Sequence, residues 1–201
     1  LLAGDLVDGT TEQFPGVLDP LAGLGAPDGV YAVTGNHEYY AGDAAGWVKQ
    51  WETLGVTPLL NDSAQVIRGP GTLRIAGVSD PTGEDASLAA DPGLRPDLDA
   101  ALRDVVPEES TILIAHQPAV VEDERVRAAG VDLAVSGHTH GGQLWPFTLL
   151  VPLANPTIAG LDEIGGTTAY TTRGAGTWGP PTRVGVPPEV VVLTLTAGAG
   201  G

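Results

Sequence analysis

The chain has 201 residues, which is enough for one domain with a sizeable apolar core. Its 25 acidic and 9 basic residues give a net charge of −16, and such a surface repels nucleic-acid backbones and anionic lipid headgroups. The absence of cysteine excludes disulfide bonds and thiolate metal sites, and no apolar run approaches the roughly 20 residues of a membrane-spanning helix.

Short apolar strands alternate with amphipathic stretches along most of the chain. The predicted elements are strands at 1–3, 30–34, 111–115, 131–135, 170–173 and 190–196, a hairpin at 64–78, and helices at 14–24, 47–54, 96–106 and 120–129. This order predicts an α/β protein with helices outside its sheets, followed by a disordered tail at 197–201.

Polar residues follow four of the predicted strands at the point where each strand ends. They are Asp5, Asn36 with His37, His116, and the pair His138 and His140 in the stretch GHTHGG. Because ligands of α/β proteins bind beyond the carboxyl ends of the strands, we expect these side chains on one rim of the fold.

Oxygen and imidazole ligands without thiolates suit divalent ions such as Mn, Fe or Zn. Asp5 has two carboxylate oxygens and can therefore bridge two ions. The candidates for the other ligand positions are Asn36, His116, His138 and His140. Two ions about 3.5–4 Å apart can clamp a phosphoryl group and activate a bridging water.

Taken one at a time, the same residues also have ordinary structural interpretations. Asp5 and Asp8 at a strand end are typical of turns or caps, and Asn36 after a glycine is typical of a turn. His37 alone is typical of an exposed loop, and His116 of a strand end. Their joint position in turns after apolar strands favours the metal site.

Four motifs in this order, GDLVDG, GNHE, HQP and GHTHGG, resemble the calcineurin-like metallophosphoesterase superfamily and extend over residues 4–142. The resemblance implies a four-layer fold, a two-sheet β-sandwich flanked by helices, over residues 1–196. It implies two divalent ions, with ligands Asp5 as the bridge, Asn36, His116 and His138 for one ion, and His140 for the other. His37 is implied as a catalytic residue that assists the phosphoryl group or the leaving oxygen, oriented by Asp8.

One motif of that family is missing from this chain. Asp-x-His, which supplies the remaining ligands of the second ion, should precede Gly4, but the chain starts inside an apolar run. We therefore expect a chain that lacks its first β-α unit, with Asp-x-His roughly 25–45 residues upstream of Asp5.

The C-terminal stretch YTTRGAGTWGPPTRVGVPPEVVVLTL resembles a branch of membrane-anchored bacterial phosphodiesterases similar to those acting on cell-envelope or lipid-linked phosphoesters. This implies membrane association at the extracytoplasmic face, through a segment outside this chain. Arg173 is either a contact to the substrate phosphate or a structural surface arginine. Asp80 is either a carboxylate that lines the site or a turn cap.

The predicted function is metal-dependent hydrolysis of a small-molecule or lipid-linked phosphoester, by a phosphodiesterase with a dinuclear centre and a metal-bound hydroxide. The charge of −16 disfavours a nuclease, and we expect no nucleic-acid partner. The alternative is a non-catalytic or degenerate scaffold that binds a metal or phosphate. The missing Asp-x-His supports this alternative and leaves open whether the chain is active by itself.

Overall fold

Two β-sheets form the centre of the fold in the computed structural model, which describes residues 1–196. The predicted disordered tail at 197–201 lies outside the described residues. The small sheet pairs two parallel strands, β1 (Val30–Ala32) and β2 (Val56–Pro58). Leu2 adds a parallel bridge to Ala32, so the predicted strand at 1–3 lies along the edge of this sheet.

The large sheet has six strands. Their bounds are β3 (Asp62–Arg68), β4 (Gly71–Gly77), β5 (Ser110–Ile114), β6 (Leu133–Ser136), β7 (Gly160–Ile164) and β8 (Thr167–Thr171). Their order in the sheet is β3-β4-β5-β6-β8-β7. Strands β4, β5, β6 and β8 are parallel, and β3 and β7 close the two edges as antiparallel hairpins. The hairpin predicted at 64–78 is therefore confirmed.

Within residues 1–196, four short α-helices accompany the sheets: α1 (Asn36–Tyr40), α2 (Ala44–Thr53), α3 (Leu98–Ala101) and α4 (Glu124–Ala128). On the outer face of the small sheet, α2 buries Trp47 and Trp51 completely. On the outer face of the large sheet, α3 and α4 pack Leu98 and Val126 against Leu113. In the described residues no helix is both long and apolar enough to cross a bilayer.

The space between the sheets is filled by apolar side chains from both. Val33 and Leu59, which directly follow the strands of the small sheet, contact Ile75 and Ile114 of the large sheet. Helix, sheet, sheet and helix therefore form four layers, which confirms the predicted α/β sandwich. The central strands are buried on both faces, which explains their continuous apolar sequence.

Several of the predicted elements are wrong or incomplete. The strand predicted at 1–3 is reduced to the bridge at Leu2, and the helices predicted at 96–106 and 120–129 are shortened to α3 and α4. The helix predicted at 14–24, with Pro15 and Pro20 expected to make it irregular, is reduced to a 3-10 helix at Asp19–Gly23. Pro20 stands in the first turn of this 3-10 helix, where a backbone donor is not needed. The strand predicted at 190–196 does not form, and Val190 and Val192 are each 90% exposed. An apolar strand needs a neighbour to pair with its backbone, and this segment instead passes over a cavity described below.

Candidate metal centre

A tight turn places Asp5 at the end of the strand at 1–3. Gly4 and Asp5 both have left-handed backbones, with φ of 80° and 54°. A β-carbon on Gly35 would lie 2.2 Å from the Asp5 Oδ1 atom, so only glycine permits this approach of the two turns. The turn is thereby pressed against the start of α1, where the His37 amide donates to Asp5 Oδ1 at 2.8 Å.

Four predicted ligands meet in one cluster. Asn36 Oδ1 lies 3.0 Å from His116 Nε2 and 2.9 Å from His138 Nδ1. The two imidazole atoms are 3.2 Å apart, and Asp5 Oδ2 is 3.0 Å from His116 Nε2. Asp5, His116 and His138 thus satisfy the distance requirement for a shared ion. The structure therefore brings Asp5, Asn36, His116 and His138 together on one rim of the fold, and their role as metal ligands stays a prediction.

The cluster is composed of oxygen atoms and imidazole nitrogen atoms. The Ala3 carbonyl can only accept, so the contact at 2.6 Å requires His116 Nδ1 to donate, and the lone pair of a neutral His116 is then at Nε2. Carboxylate, amide and imidazole atoms that face one another at about 3 Å need either a proton on an imidazole nitrogen or a metal cation among them. The residues therefore fit a divalent ion that accepts nitrogen and oxygen ligands.

The pKa values of the two imidazoles differ in direction. Burial opposes protonation of His116, but the hydrogen bond and charge of Asp5 outweigh it and raise the His116 pKa. Burial lowers the pKa of His138, and the neighbouring His116 lowers it further. A proton on His116 can therefore take the place of a metal cation beside Asp5, whereas the lowered pKa of His138 favours its neutral form, which can coordinate an ion.

Glu38 holds the Asp5 turn in place and was not singled out by the sequence. Its fully buried carboxylate accepts hydrogen bonds from the amides of Gly35, Asp5 and Leu6, at 2.7, 3.1 and 2.8 Å. Burial, followed by the charge of Asp5, raises the pKa of Glu38. The only hint in the sequence is the position of Glu38 in the motif GNHE, three residues after Gly35.

The ligand atoms of Asp5, His116 and His138 lie within 4.8 Å of one another, and we call these three residues the compact group. His140 lies beside the cluster but does not belong to the compact group. His138 and His140 both have left-handed backbones, with φ of 65° and 51°, in the turn that follows β6. Both line the same cavity as Asp5 and His37. Burial, followed by the charge of Arg183, lowers the His140 pKa to about 4, so this imidazole is neutral near pH 7.

Arg183 and Gln143 secure the glycine-rich loop 174–180 next to His140, and sequence reasoning missed both. The Arg183 guanidinium donates to His140 Nδ1 at 3.2 Å, to the His140 carbonyl at 3.1 Å and to the Arg173 carbonyl at 2.7 Å. The buried Gln143 side chain exchanges hydrogen bonds with the backbone of Trp178. These roles depend on contacts between residues about 35–43 positions apart, which no local pattern reveals.

His37 and Asp8 form the predicted pair. His37 Nδ1 lies 2.9 Å from Asp8 Oδ1, and the ring also packs edge-on against Tyr40. The contact leaves Nε2 of His37 as the ring nitrogen available to other groups. His37 lines the cavity without belonging to the compact group, which is the placement that the predicted catalytic role requires.

The two substrate-binding candidates lie in different surroundings. Arg173 lines the cavity and pairs with Glu189, whose carboxylate is 3.0 Å from the Arg173 guanidinium. Asp80 is fully buried and caps the 3-10 helix Pro81–Glu84 through the Thr82 amide. It also accepts two hydrogen bonds from Gln117, each at 3.1 Å. Asp80 thus acts as the turn cap that the sequence offered as one of two roles.

A cavity of about 750 Å³ extends from the cluster into the space between the sheets. Its polar end contains Asp5, His37, His138, His140 and Arg173, and its walls are apolar, with Leu18, Leu21, Ile112, Leu133 and Val135 among them. The loop 174–178 and the segment 190–195 border it. The candidate ligands therefore stand at one end of a large, mainly apolar space.

The profile of the family described as "Calcineurin-like phosphoesterase" matches residues 1–142, which include every candidate metal ligand. The chain belongs to this family. Membership supports metal-dependent phosphoester hydrolysis, and the cluster provides a group of side chains suited to a metal ion.

Curated relatives carry the same family designation. An uncharacterized metallophosphoesterase of Helicobacter pylori is 38% identical over 97% of this chain and 50% of its own length. A transmembrane protein with metallophosphoesterase domain from Danio rerio is 34% identical over 97% of this chain and 45% of its own length. The chain thus spans about half the length of the curated relatives that it matches.

A solved structure has the same fold at low sequence identity. The phosphopantetheinyl hydrolase PptH of Mycobacterium tuberculosis matches with a TM-score of 0.50 and 16% identity. The match covers 84% of this chain and 76% of PptH. This similarity concerns the fold alone.

Proposed function

We propose that this chain forms the catalytic part of a metal-dependent phosphodiesterase. The observation that carries the proposal is the convergence of Asp5, Asn36, His116 and His138, whose acceptor atoms lie about 3 Å apart. A ligand set of this composition suits Mn, Fe or Zn.

The proposed centre holds two ions. Asp5 would bridge them, with Asn36, His116 and His138 completing the site of the first ion and His140 belonging to the second. Arg183 donates to His140 Nδ1, so the proton of the neutral ring is on Nε2. Coordination through Nε2 would require this proton to move to Nδ1 and the hydrogen bond from Arg183 to break. The Asp-x-His motif expected upstream of Leu1 would supply the other ligands of the second ion.

The bound ions would polarise the phosphoryl oxygens and lower the pKa of a water molecule that serves as the nucleophile. The chain's own contribution to the reaction is His37. Asp8 orients the ring through Nδ1, so Nε2 of a protonated ring would be the nitrogen that donates to the leaving oxygen. Arg173, at the same end of the cavity, is placed to pair with a phosphate oxygen after separating from Glu189.

The proposed substrate is a small-molecule or lipid-linked phosphoester rather than a nucleic acid. The net charge of −16 disfavours a polyanionic partner. Trp178 and Val190 line the mouth of the cavity and would accept an apolar group next to the phosphoester. Membrane association at the extracytoplasmic face is part of this proposal, and some relatives are named transmembrane proteins.

We propose that a further β-strand, and not the substrate, occupies the inner part of the cavity. The strand at 1–3 pairs with β1 on one side, and within residues 1–196 no strand pairs with its other edge. A parallel strand added at that edge would bring its carboxyl end beside Asp5, where Asp-x-His is expected. Such a strand would fill much of the apolar volume. Only the mouth of the cavity would then remain for the apolar group of a lipid-linked substrate.

The test compares two chromogenic substrates with the full-length protein loaded with Mn²⁺. We expect turnover of bis(p-nitrophenyl) phosphate to exceed that of p-nitrophenyl phosphate, to stop on chelation, and to be lost in His138→Ala. Preference for the monoester would contradict the phosphodiesterase assignment. Tight Mn²⁺ binding without any turnover would favour the non-catalytic scaffold.

A further inference from the structure

The segment 141–160 contains no Asp, Glu, Lys or Arg, although the chain as a whole has 34 such residues. Within it, five large apolar side chains are exposed: Trp145, Phe147, Leu149, Leu150 and Leu153. Trp145 is 67% exposed and Leu153 is 83% exposed. We name these five residues, together with Trp178, the apolar face. Soluble proteins rarely expose large contiguous apolar patches without a binding partner.

The apolar face lies next to the candidate metal centre. Its segment directly follows His140, and the Gly142 and Thr148 backbones lie close together. Trp178 joins it from the loop 174–180, with its ring 6.4 Å from that of Phe147. Because Trp178 also lines the cavity, the apolar face and the mouth of the candidate site share one side chain.

We infer that the apolar face docks on the surface of a zwitterionic lipid bilayer. Tryptophan and phenylalanine beside exposed leucines are typical of groups that enter the boundary between headgroups and acyl chains. The uncharged segment can approach that boundary without desolvating an ion, since its side chains carry no charge.

The charge of the molecule selects this partner over two others. A second copy of the chain would bring another −16 charge toward the first, which opposes self-association. A bilayer rich in anionic lipids repels the chain for the same reason. A surface of phosphatidylcholine carries no net charge and leaves the apolar contact unopposed. This docking uses the chain's own residues and is separate from any upstream anchor.

The four tryptophans make the contact measurable. Trp47 and Trp51 are fully buried, whereas Trp145 and Trp178 are exposed, so a change in emission on adding vesicles reports the apolar face. Phosphatidylcholine vesicles should shift the emission of the chain to shorter wavelength and carry it into the pellet on centrifugation. Vesicles with added phosphatidylglycerol should bind less at low salt, and the difference should shrink as salt screens the charges.

The test pairs two exposed positions on the face with one elsewhere. The double variant Leu149→Ser, Leu153→Ser should reduce partition into phosphatidylcholine vesicles by about tenfold or more, because two leucines lose their contact with the acyl chains. The matched control is Ile67→Ser, at a 67% exposed position in the β3–β4 hairpin, and it should bind like the parent. All three proteins should show the same thermal unfolding, because the substituted side chains are exposed.

Three results would overturn the inference. The first is that the parent chain fails to bind phosphatidylcholine vesicles. The second is that the double variant binds these vesicles as well as the parent does. In the third, sedimentation shows a dimer that the double variant dissociates, which would make the apolar face an interface between two copies. None of these results bears on turnover of the chromogenic diester by the full-length protein, so the proposed function is judged separately.

Discussion

The Nδ1 atom of His116 donates a hydrogen bond to the carbonyl oxygen of Ala3 at 2.6 Å. This bond ties the end of β5 to the strand at 1–3, which belongs to the other sheet. It also determines which nitrogen of His116 faces the cluster, because a carbonyl can only accept. The hydrogen bond between these two segments thus sets which nitrogen of His116 could coordinate an ion.

The first prediction distinguishes a metal ligand from a residue that only lies near the ion. His138→Ala should weaken Mn²⁺ binding by about 100-fold or more, because it removes a ligand and not merely its support. His37→Ala should bind the ion as the parent does, since His37 lies outside the compact group. Titration calorimetry on the two variants checks this. Equal binding by both would show that His138 is not a ligand.

The second prediction concerns the pH dependence of metal binding. Asp5 raises the pKa of His116 above its usual 6.5, and the proton it binds must leave before Nε2 coordinates an ion. Mn²⁺ affinity should therefore fall as the pH falls through this raised pKa, beginning above pH 6.5. His138 has a lowered pKa and should contribute little over the same range. Calorimetric titrations between pH 5.5 and pH 8.5, a range chosen around the reference value, measure the slope.

A matched variant tests the origin of that pH dependence. Asp5→Asn removes the charge that raises the His116 pKa, so the midpoint for proton competition should move to lower pH as overall affinity drops. A midpoint that stays in place would assign the competing proton to a different group.

The third prediction concerns the leaving group. His37→Ala should lower turnover of a diester by about 10²–10⁴-fold in the full-length protein, because the leaving oxygen loses its proton donor. The loss should be smaller for leaving groups of low pKa, which need little protonation. Asp8→Asn should show a milder form of the same pattern, since it disturbs only the orientation of the ring. The measurement is kcat for diesters with leaving groups of graded pKa, with metal content assayed in parallel.

The fourth prediction concerns Glu38. Glu38→Gln replaces one carboxylate oxygen by an NH₂ group that must face the amide donors of the Asp5 turn. We expect a loss of about 2–3 kcal/mol in the free energy of unfolding, because at least one buried donor loses its acceptor. Mn²⁺ affinity should also fall by about 10–100-fold, as for other groups that orient a ligand.

The control for this change is Glu52→Gln on the exposed side of α2. It makes the same chemical change in solvent and should alter the free energy of unfolding by less than about 0.5 kcal/mol. Urea unfolding of the two variants makes the comparison. Equal stability of Glu38→Gln and the parent would mean that the hydrogen bonds to the buried Glu38 carboxylate contribute little to the free energy of unfolding.

The candidate metal ligands could be picked out because each follows an apolar strand that the sequence marks clearly. His116 and His138 follow β5 and β6, neighbouring parallel strands whose carboxyl ends meet at one edge, and Asn36 follows β1 of the other sheet. Glu38 could not be found in this way. Its role arises from amides more than 30 positions away along the chain, at Asp5 and Leu6, and only the fold brings them together.

The strand predicted at 190–196 failed for a related reason. An apolar, β-branched sequence indicates that a segment can enter a sheet. A strand also needs the edge of another strand to pair with. Val191 and Leu193 face the cavity and no neighbouring strand is available to them among the described residues. Local pattern therefore predicted the central strands, which have partners on both sides, better than it predicted this one.

The left-handed backbones of Asp5, His138 and His140 have a consequence for how this protein can change over time. Such conformations cost about 1–3 kcal/mol each in residues other than glycine, so the chemistry at these positions is maintained against folding stability. Glycine at any of the three would relax the backbone while removing a side chain of the site. A descendant released from selection for turnover is expected to acquire glycine there early and to melt at a higher temperature than its active ancestor.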